Sequence, residues 1–258
     1  MKYQSIFRRY EIKYILNSDE RARLMEAMDG IMKIDRYGKT TIRNIYFDTD
    51  NYRLIRTSLD KPPYKEKLRI RSYKRVTEDE DVFVEIKKKY DSVVYKRRIA
   101  CPEYLAMDWL AAYGAKPGVD ELMRSQGFVS IQTAAQIADE IDYLRDFYET
   151  LAPKVFLSYE REAFEALDGS DIRITLDSNI MARDYDLNLR QGVYGENIID
   201  RDLYVLEAKV TGAMPAWLMR FLRENDISKT SFSKYGRYYT ENILTKEDNT
   251  RKRGLIYA

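Results

Sequence analysis

The feature that most constrains this chain is a set of strand-length segments in which Lys and Arg alternate with aliphatic residues. In KEKLRIRSY, Lys65, Lys67, Arg69 and Arg71 fall on one side of an extended backbone, and Leu68 and Ile70 fall on the other. VFVEIKKK sets Glu85, Lys87 and Lys89 against Val82, Val84 and Ile86. RRYEIKYIL sets Arg9, Glu11 and Lys13 against Tyr10, Ile12, Tyr14 and Leu16. IRITLD and YVLEAKV repeat the pattern, with Arg173, Thr175, Asp177, Glu207 and Lys209 on their charged sides. Lys96 and Arg98 share a face in the next segment, although Arg97 falls on the opposite one. A period of two is the signature of β-structure, so each segment has one face to bury and one cationic face that must stay wet or meet an anion.

Strands are expected over 6–15, 41–48, 65–75, 82–90, 92–99, 154–166, 171–180 and 202–211. The acidic run Thr77 to Asp81, the pair Asp91 and Ser92, and Asp168-Gly169 read as turns. Helical spacing appears from Ser18 to about residue 32, with Asp19 and Glu20 in the first turn, where the helix dipole favours acids. It returns across a helical insertion at about 102–151, and again over 214–225 and 232–244. With no repeat, low-complexity run or Gly/Ser linker, one domain over 1–245 and a tail over 246–258 are expected. The fold class is α+β. Eight antiparallel strands can close into a barrel wide enough for one ligand, with helices flanking it. The competing arrangement is an open sheet whose charged face is merely solvated.

Composition narrows the chemistry. A chain of 258 residues can bury a real core. Its 44 basic and 42 acidic residues leave a net charge of +2, which argues against a general nucleic-acid partner. The absence of histidine excludes Ser-His-Asp and Cys-His catalysis and His-ligated zinc. Cys101, the single cysteine, makes no internal disulfide and reads as a half-buried thiol. Trp109 and Trp217 read as core. Any metal is then expected on carboxylates, water and substrate oxygens, which favours magnesium or manganese. The N-terminus has no apolar signal region and no window spans a bilayer, so a cytoplasmic protein is expected.

If the charged faces point into a closed sheet, the interior is a water-filled tunnel suited to a polyanion. Arg binds phosphate oxygens bidentately and Lys supplies compact charge. The acids among them, Glu11, Glu85, Asp177 and Glu207, could hold a divalent metal that bridges phosphate oxygens.

The segments RRYEIKYIL, NIYFDTDN, KEKLRIRSY, VFVEIKKK, LSYEREAF, IRITLD, YVLEAKV and FSKYGRYY stand in the order seen in a known family. The chain resembles, from about residue 6 to 240, the VTC (vacuolar transporter chaperone) polyphosphate polymerase domain of the CYTH-like triphosphate tunnel metalloenzymes. The resemblance implies an antiparallel tunnel that binds the triphosphate of ATP. It also implies transfer of the γ-phosphoryl group to a growing polyphosphate chain, with release of ADP and with Mn2+ or Mg2+ as cofactor. By position, Lys13, Arg69, Arg71, Lys87, Arg161 and Lys234 correspond to the family's catalytic basic residues, and Glu207 to its metal-binding glutamate. The charged faces add Lys67, Lys96, Arg98, Arg173 and Lys209 as substrate-binding candidates, and Glu85 and Glu11 as further metal candidates.

The chain departs from the family pattern in two places. Arg9 stands where the simplest CYTH enzymes have the first Glu of E-x-E-x-K, which fits the VTC branch. Ser231 stands where eukaryotic relatives can carry a second lysine before F-S-K, with Lys229 nearby. The resemblance further implies a catalytic domain alone, without the SPX domain or membrane segments of the eukaryotic complex. ATP and inorganic polyphosphate are the expected partners, and export of product would fall to a membrane-protein partner. Two other functions suit the same pattern: a tripolyphosphate or nucleoside-triphosphate hydrolase, and a non-catalytic polyphosphate-binding module. A structural barrel held by Lys/Arg-Glu networks is the bland reading.

Overall fold

The structure, a computed structural model, describes residues 10–91, 93–111, 114–118, 121–122 and 130–246. In chain order its elements are β1 (Tyr10–Leu16), α1 (Ser18–Met28), β2 (Met32–Asp48), α2 (Arg53–Leu59), β3 (Tyr64–Ser72), β4 (Asp81–Tyr90) and β5 (Val93–Pro102). There follow α3 (Glu103–Trp109), α4 (Ile131–Tyr148), β6 (Ala152–Ala166), β7 (Arg173–Arg183), β8 (Glu196–Asn197), β9 (Tyr204–Val210), α5 (Ala216–Glu224) and α6 (Lys234–Tyr238). The fold is α+β, with a large antiparallel sheet. Its residues group into two compact units.

The first unit holds the described residues up to Ile42, then Ser158–Ile180 and Ile199–Phe232. Its strand order is β1-β9-β7-β6-β2. Helix α1 begins at Ser18 as expected, and Asn17 is its cap. The Asn17 side chain accepts from the Glu20 amide at 2.9 Å, and the Glu20 carboxylate accepts from the Asn17 amide at 2.7 Å. This reciprocal box satisfies two amides that a helix start leaves without partners. The helix ends at Met28, short of the expected residue 32. The backbone leaves the helix at Asp29, whose ψ of 134° is extended, and Gly30 at φ +69° completes the turn. Leu24 and Met28 then pack into a core with Leu16, Ile174, Leu206 and Leu218.

The second unit holds Arg43–Leu157, Met181–Ile198 and the described residues from Ser233. Here the order is β2-β3-β4-β5, with β8 on β7. The apolar faces of these strands, including Ile45, Phe47, Leu68, Ile70, Val84, Ile86 and Ile99, lie in one core with Trp109 of α3 and Ile137, Ile141 and Leu144 of α4. Trp109 is fully buried, and its indole donates to Asp142 at 2.8 Å. The expected helical insertion is thus a cover for the apolar face. Cys101 is fully buried in this core, rather than half-buried, and burial pushes its thiol up to about 12.

Several boundaries differ from expectation for local reasons. β2 begins at Met32 rather than 41, because its first half is mixed in polarity and is interrupted by Gly38 at φ +58°. α2, which the expected elements do not include, follows Tyr52 at φ +58°. The helix expected over 232–244 is the five-residue α6 followed by a π-helical turn, Tyr239–Leu244. Among the described residues there are nine strands rather than the expected eight, the addition being the two-residue β8. The start of the first expected strand with Arg9, the turn residue Ser92 and the tail beyond Lys246 lie outside the described residues. Among the described residues, no helix is long and apolar enough to cross a membrane.

Candidate functional site

In the second unit, strand register turns the alternation of the sequence into rows of charge. Tyr46, Arg69, Glu85 and Arg98 stand abreast across β2, β3, β4 and β5, and Asn44, Arg71 and Phe83 form the neighbouring row. On the other side, Lys67, Lys87 and Lys96 stand abreast. Like charges directly opposite one another in a sheet disfavour the pairing, by roughly 0.2–1 kcal/mol each. In this row the Lys96 ammonium is offset by Glu85, 2.7 Å away.

Glu85 organises the arginine row. Its side chain is 1% exposed, and one oxygen accepts from Arg69 through Nε at 2.9 Å and Nη2 at 2.7 Å. Arg71 approaches the same oxygen at 3.8 Å, while Lys96 meets the other at 2.7 Å. Burial alone would raise the Glu85 pKa, but Arg69, Arg71 and Lys96 outweigh it and hold the carboxyl down to about 2. Lys96 is lowered to about 8, chiefly by loss of water around its ammonium, with Glu85 opposing that shift. Glu85, a candidate metal ligand from the sequence, thus has both oxygens facing cations of its own chain. Arg98 lies with its guanidinium 4.6 Å from the centre of the Phe83 ring.

Residues that the alternation of charge did not single out complete this arrangement. Asn44, fully buried, accepts from Arg71 Nε at 2.9 Å and donates to the Leu157 carbonyl at 3.0 Å. Tyr46 accepts from Arg69 Nη1 at 3.0 Å and stacks on Tyr235 at 4.9 Å. Burial would raise the Tyr46 phenol, yet Arg69, Lys67 and Arg71 together bring it down to about 7. Asp48 is fully buried and accepts from the amides of Thr49, Leu54 and Ile55 and from the Tyr235 hydroxyl at 2.9 Å. One carboxylate thereby anchors both the start of α2 and the helix that carries Lys234. Ser233 caps that helix through the Gly236 amide at 3.2 Å, and its hydroxyl lies 3.4 Å from Lys67 Nζ. NIYFDTDN and FSKYG contain these residues, but nothing in either segment marks Asp48 and Tyr235 as partners 187 positions apart.

The first unit carries a second group. Lys13 and Thr175 flank Glu207 across β1, β9 and β7, and Glu11 and Arg173 flank Lys209 in the same way. Lys13 donates to the Phe232 carbonyl at 2.9 Å. Arg161 is paired bidentately with Asp177, at 2.6 and 2.7 Å, and Asp177 is fully buried. Arg173 pairs with Asp35 at 2.7 Å, and Lys209 lies 3.3 Å from Glu207. Glu11 lies at the exposed start of β1.

Among the described residues, no group of three or more acidic or thiol side chains converges as a metal cage. Glu207, 7% exposed, lies cross-strand from the Thr175 hydroxyl, which is buried without a hydrogen-bond partner among the described residues. One carboxylate beside one hydroxyl does not fit a metal held by protein alone. It does fit a magnesium-type ion that keeps water and brings phosphate oxygens with it.

The VTC domain model matches residues 8–240. Among solved structures, an adenylate cyclase candidate from Bacillus halodurans shares the fold at a TM-score of 0.51 and 16% identity, covering 89% of this chain and 94% of its own. An adenylyl cyclase candidate from Hippeastrum, described as having a dominant triphosphatase activity, aligns at a TM-score of 0.49 and 17% identity over 90% of this chain and 96% of its own. No curated protein matches the sequence. A family match across nearly the whole chain, on a fold shared with the Bacillus protein, places this chain in the VTC domain family.

Proposed function

We propose that this chain is a metal-dependent polyphosphate polymerase, which transfers the γ-phosphoryl group of ATP to the end of an inorganic polyphosphate chain and releases ADP. The observation that carries this reading is the row Lys67–Lys87–Lys96 beside Arg69, whose plane Glu85 sets, and Arg71, which Asn44 holds. That surface offers point charges and planar forks together, the combination that phosphate oxygens select. Arg69, Arg71 and Lys87 bind the triphosphate, with Lys67 and Lys96 extending the contact. The resemblance assigns Arg161, Lys13 and Lys234, by position in the sequence, to stabilising charge on the transferring group. The acceptor is already an anionic oxygen, so the chemistry needs positioning and electrostatic stabilisation rather than a side-chain base. Glu85 acts here as the group that orients Arg69, and Asn44 as the one that holds Arg71. Glu207 would hold a divalent ion, which neutralises phosphate charge when bound. The closed eight-stranded tunnel belongs to this proposal, as does the cytoplasm, where ATP is supplied.

The test is incubation of the purified chain with ATP and Mn2+, with products resolved on a polyphosphate gel and free phosphate assayed in parallel. A ladder of chains with matching ADP is expected, and it should vanish with Arg69→Ala or Lys87→Ala while the folded state persists. Free phosphate without a ladder would make the chain a hydrolase instead. Binding without either product would make it a polyphosphate-binding module.

A further inference from the structure

The cationic face of the second unit continues past the three-lysine row. One row further along, Lys65 stands opposite Lys89, and both side chains are half-buried. Lys65 donates from Nζ to the Ser58 carbonyl at 3.1 Å, which fixes its ammonium against the last turn of α2. Among the described residues, neither Lys65 nor Lys89 has a carboxylate within ion-pair distance. Loss of water, together with Lys89, Lys61 and Lys87, holds Lys65 below its ordinary pKa.

The nearest acid in sequence, Glu66, falls on the opposite face and accepts there from the hydroxyls of Tyr64 at 2.6 Å and Tyr148 at 2.8 Å. The alternation thus removes the acid that would neutralise this end and concentrates lysines in its place. Same-face residues along a strand lie about 6.6 Å apart, so the face from Arg71 to Lys65 runs about 20 Å. That is longer than one triphosphate requires. Two aromatics among these rows are engaged within the chain, Tyr46 stacked on Tyr235 and Phe83 beneath Arg98.

We propose that Lys65 and Lys89 form a further phosphate subsite, continuous with the Lys67–Lys87–Lys96 row, that holds inorganic polyphosphate beyond its third phosphoryl group. This rests on the reading of the face as a triphosphate site and adds a dependence on chain length.

The experiment compares tripolyphosphate with a long linear polyphosphate by titration calorimetry at fixed ionic strength. It uses the full chain, the Lys65→Ala/Lys89→Ala variant and the charge-conserving Lys65→Arg/Lys89→Arg variant. The alanine variant should bind the long chain about tenfold more weakly through loss of two charge-assisted contacts, while its tripolyphosphate Kd stays within about twofold. The arginine variant should restore most of the long-chain affinity. An equal loss for both ligands, or no loss for either, would overturn the subsite. So would a single-stranded oligonucleotide that competes as well as polyphosphate of equal charge. Failure of the unaltered chain to bind tripolyphosphate would instead defeat the underlying reading of the site.

Discussion

Arg69 donates to a single oxygen of Glu85 twice, through Nε at 2.9 Å and through Nη2 at 2.7 Å. With Lys96 on the other oxygen and Arg71 close by, three cations surround one acid, so the group keeps a positive charge. An acid in a cationic face is therefore not a contradiction. It holds repelling cations at short range and sets the plane of the Arg69 guanidinium.

Glu85→Gln should remove that counter-charge and destabilise the chain by about 3 kcal/mol, the scale of breaking a buried pair. The shift of the urea midpoint measures it. Saturating tripolyphosphate should raise the variant's midpoint more than that of the unaltered chain, because the ligand supplies the missing negative charge.

Acid should act through the same carboxylate. Its folded pKa of about 2 lies below the ordinary value of 4.5, so its contribution to stability is present above about pH 4.5 and is lost as pH falls through about 2. The stability difference between the unaltered chain and Glu85→Gln should shrink across that window. A difference that stays constant from pH 5 to 2 would assign the loss to packing.

Tyr46 faces Arg69, Lys67 and Arg71 from β3 and Tyr235 from α6, and its phenol is brought down to about 7. As pH rises through that value, a phenolate forms among the cations and weakens attraction for an anion, by at most about tenfold per pH unit. Tripolyphosphate affinity should therefore decline above pH 7 in the unaltered chain, and Tyr46→Phe should remove that decline. A second decline above about pH 8, from loss of the Lys96 proton, should remain in the Phe variant. Calorimetry from pH 6 to 9 separates the two.

Asp48→Asn should cost about 2–3 kcal/mol, because an amide cannot accept from the four donors that meet this buried carboxylate. Tyr235→Phe removes one of those donors and should cost about 1 kcal/mol. Denaturant unfolding of both variants checks the order.

Chelation of divalent metal should halt phosphoryl transfer. Glu207→Ala should raise the Mn2+ concentration for half-maximal activity by more than about tenfold, since even groups behind a metal ligand act on that scale. An unchanged Mn2+ dependence would remove Glu207 from the metal's environment.

The strands and their cationic faces were legible in the sequence because alternation follows from backbone geometry, residue by residue. Leu68 and Ile70 must oppose Lys67, Arg69 and Arg71 wherever β3 lies, and a helical apolar pattern over 131–148 needs no knowledge of its partner. The boundaries that shifted lay where that signal fades, as in the mixed first half of β2. Tertiary structure alone decided which charges meet. Lys67, Lys87 and Lys96 share a row only because of strand register, and a slip of one residue would turn each to the other face. The roles of Asn44, Tyr46, Asp48 and Tyr235 likewise depend on contacts between segments far apart in the chain. Spacing along a strand is a local property, whereas burial, ion-pair partners and the pKa values they set arise only when distant segments pack together.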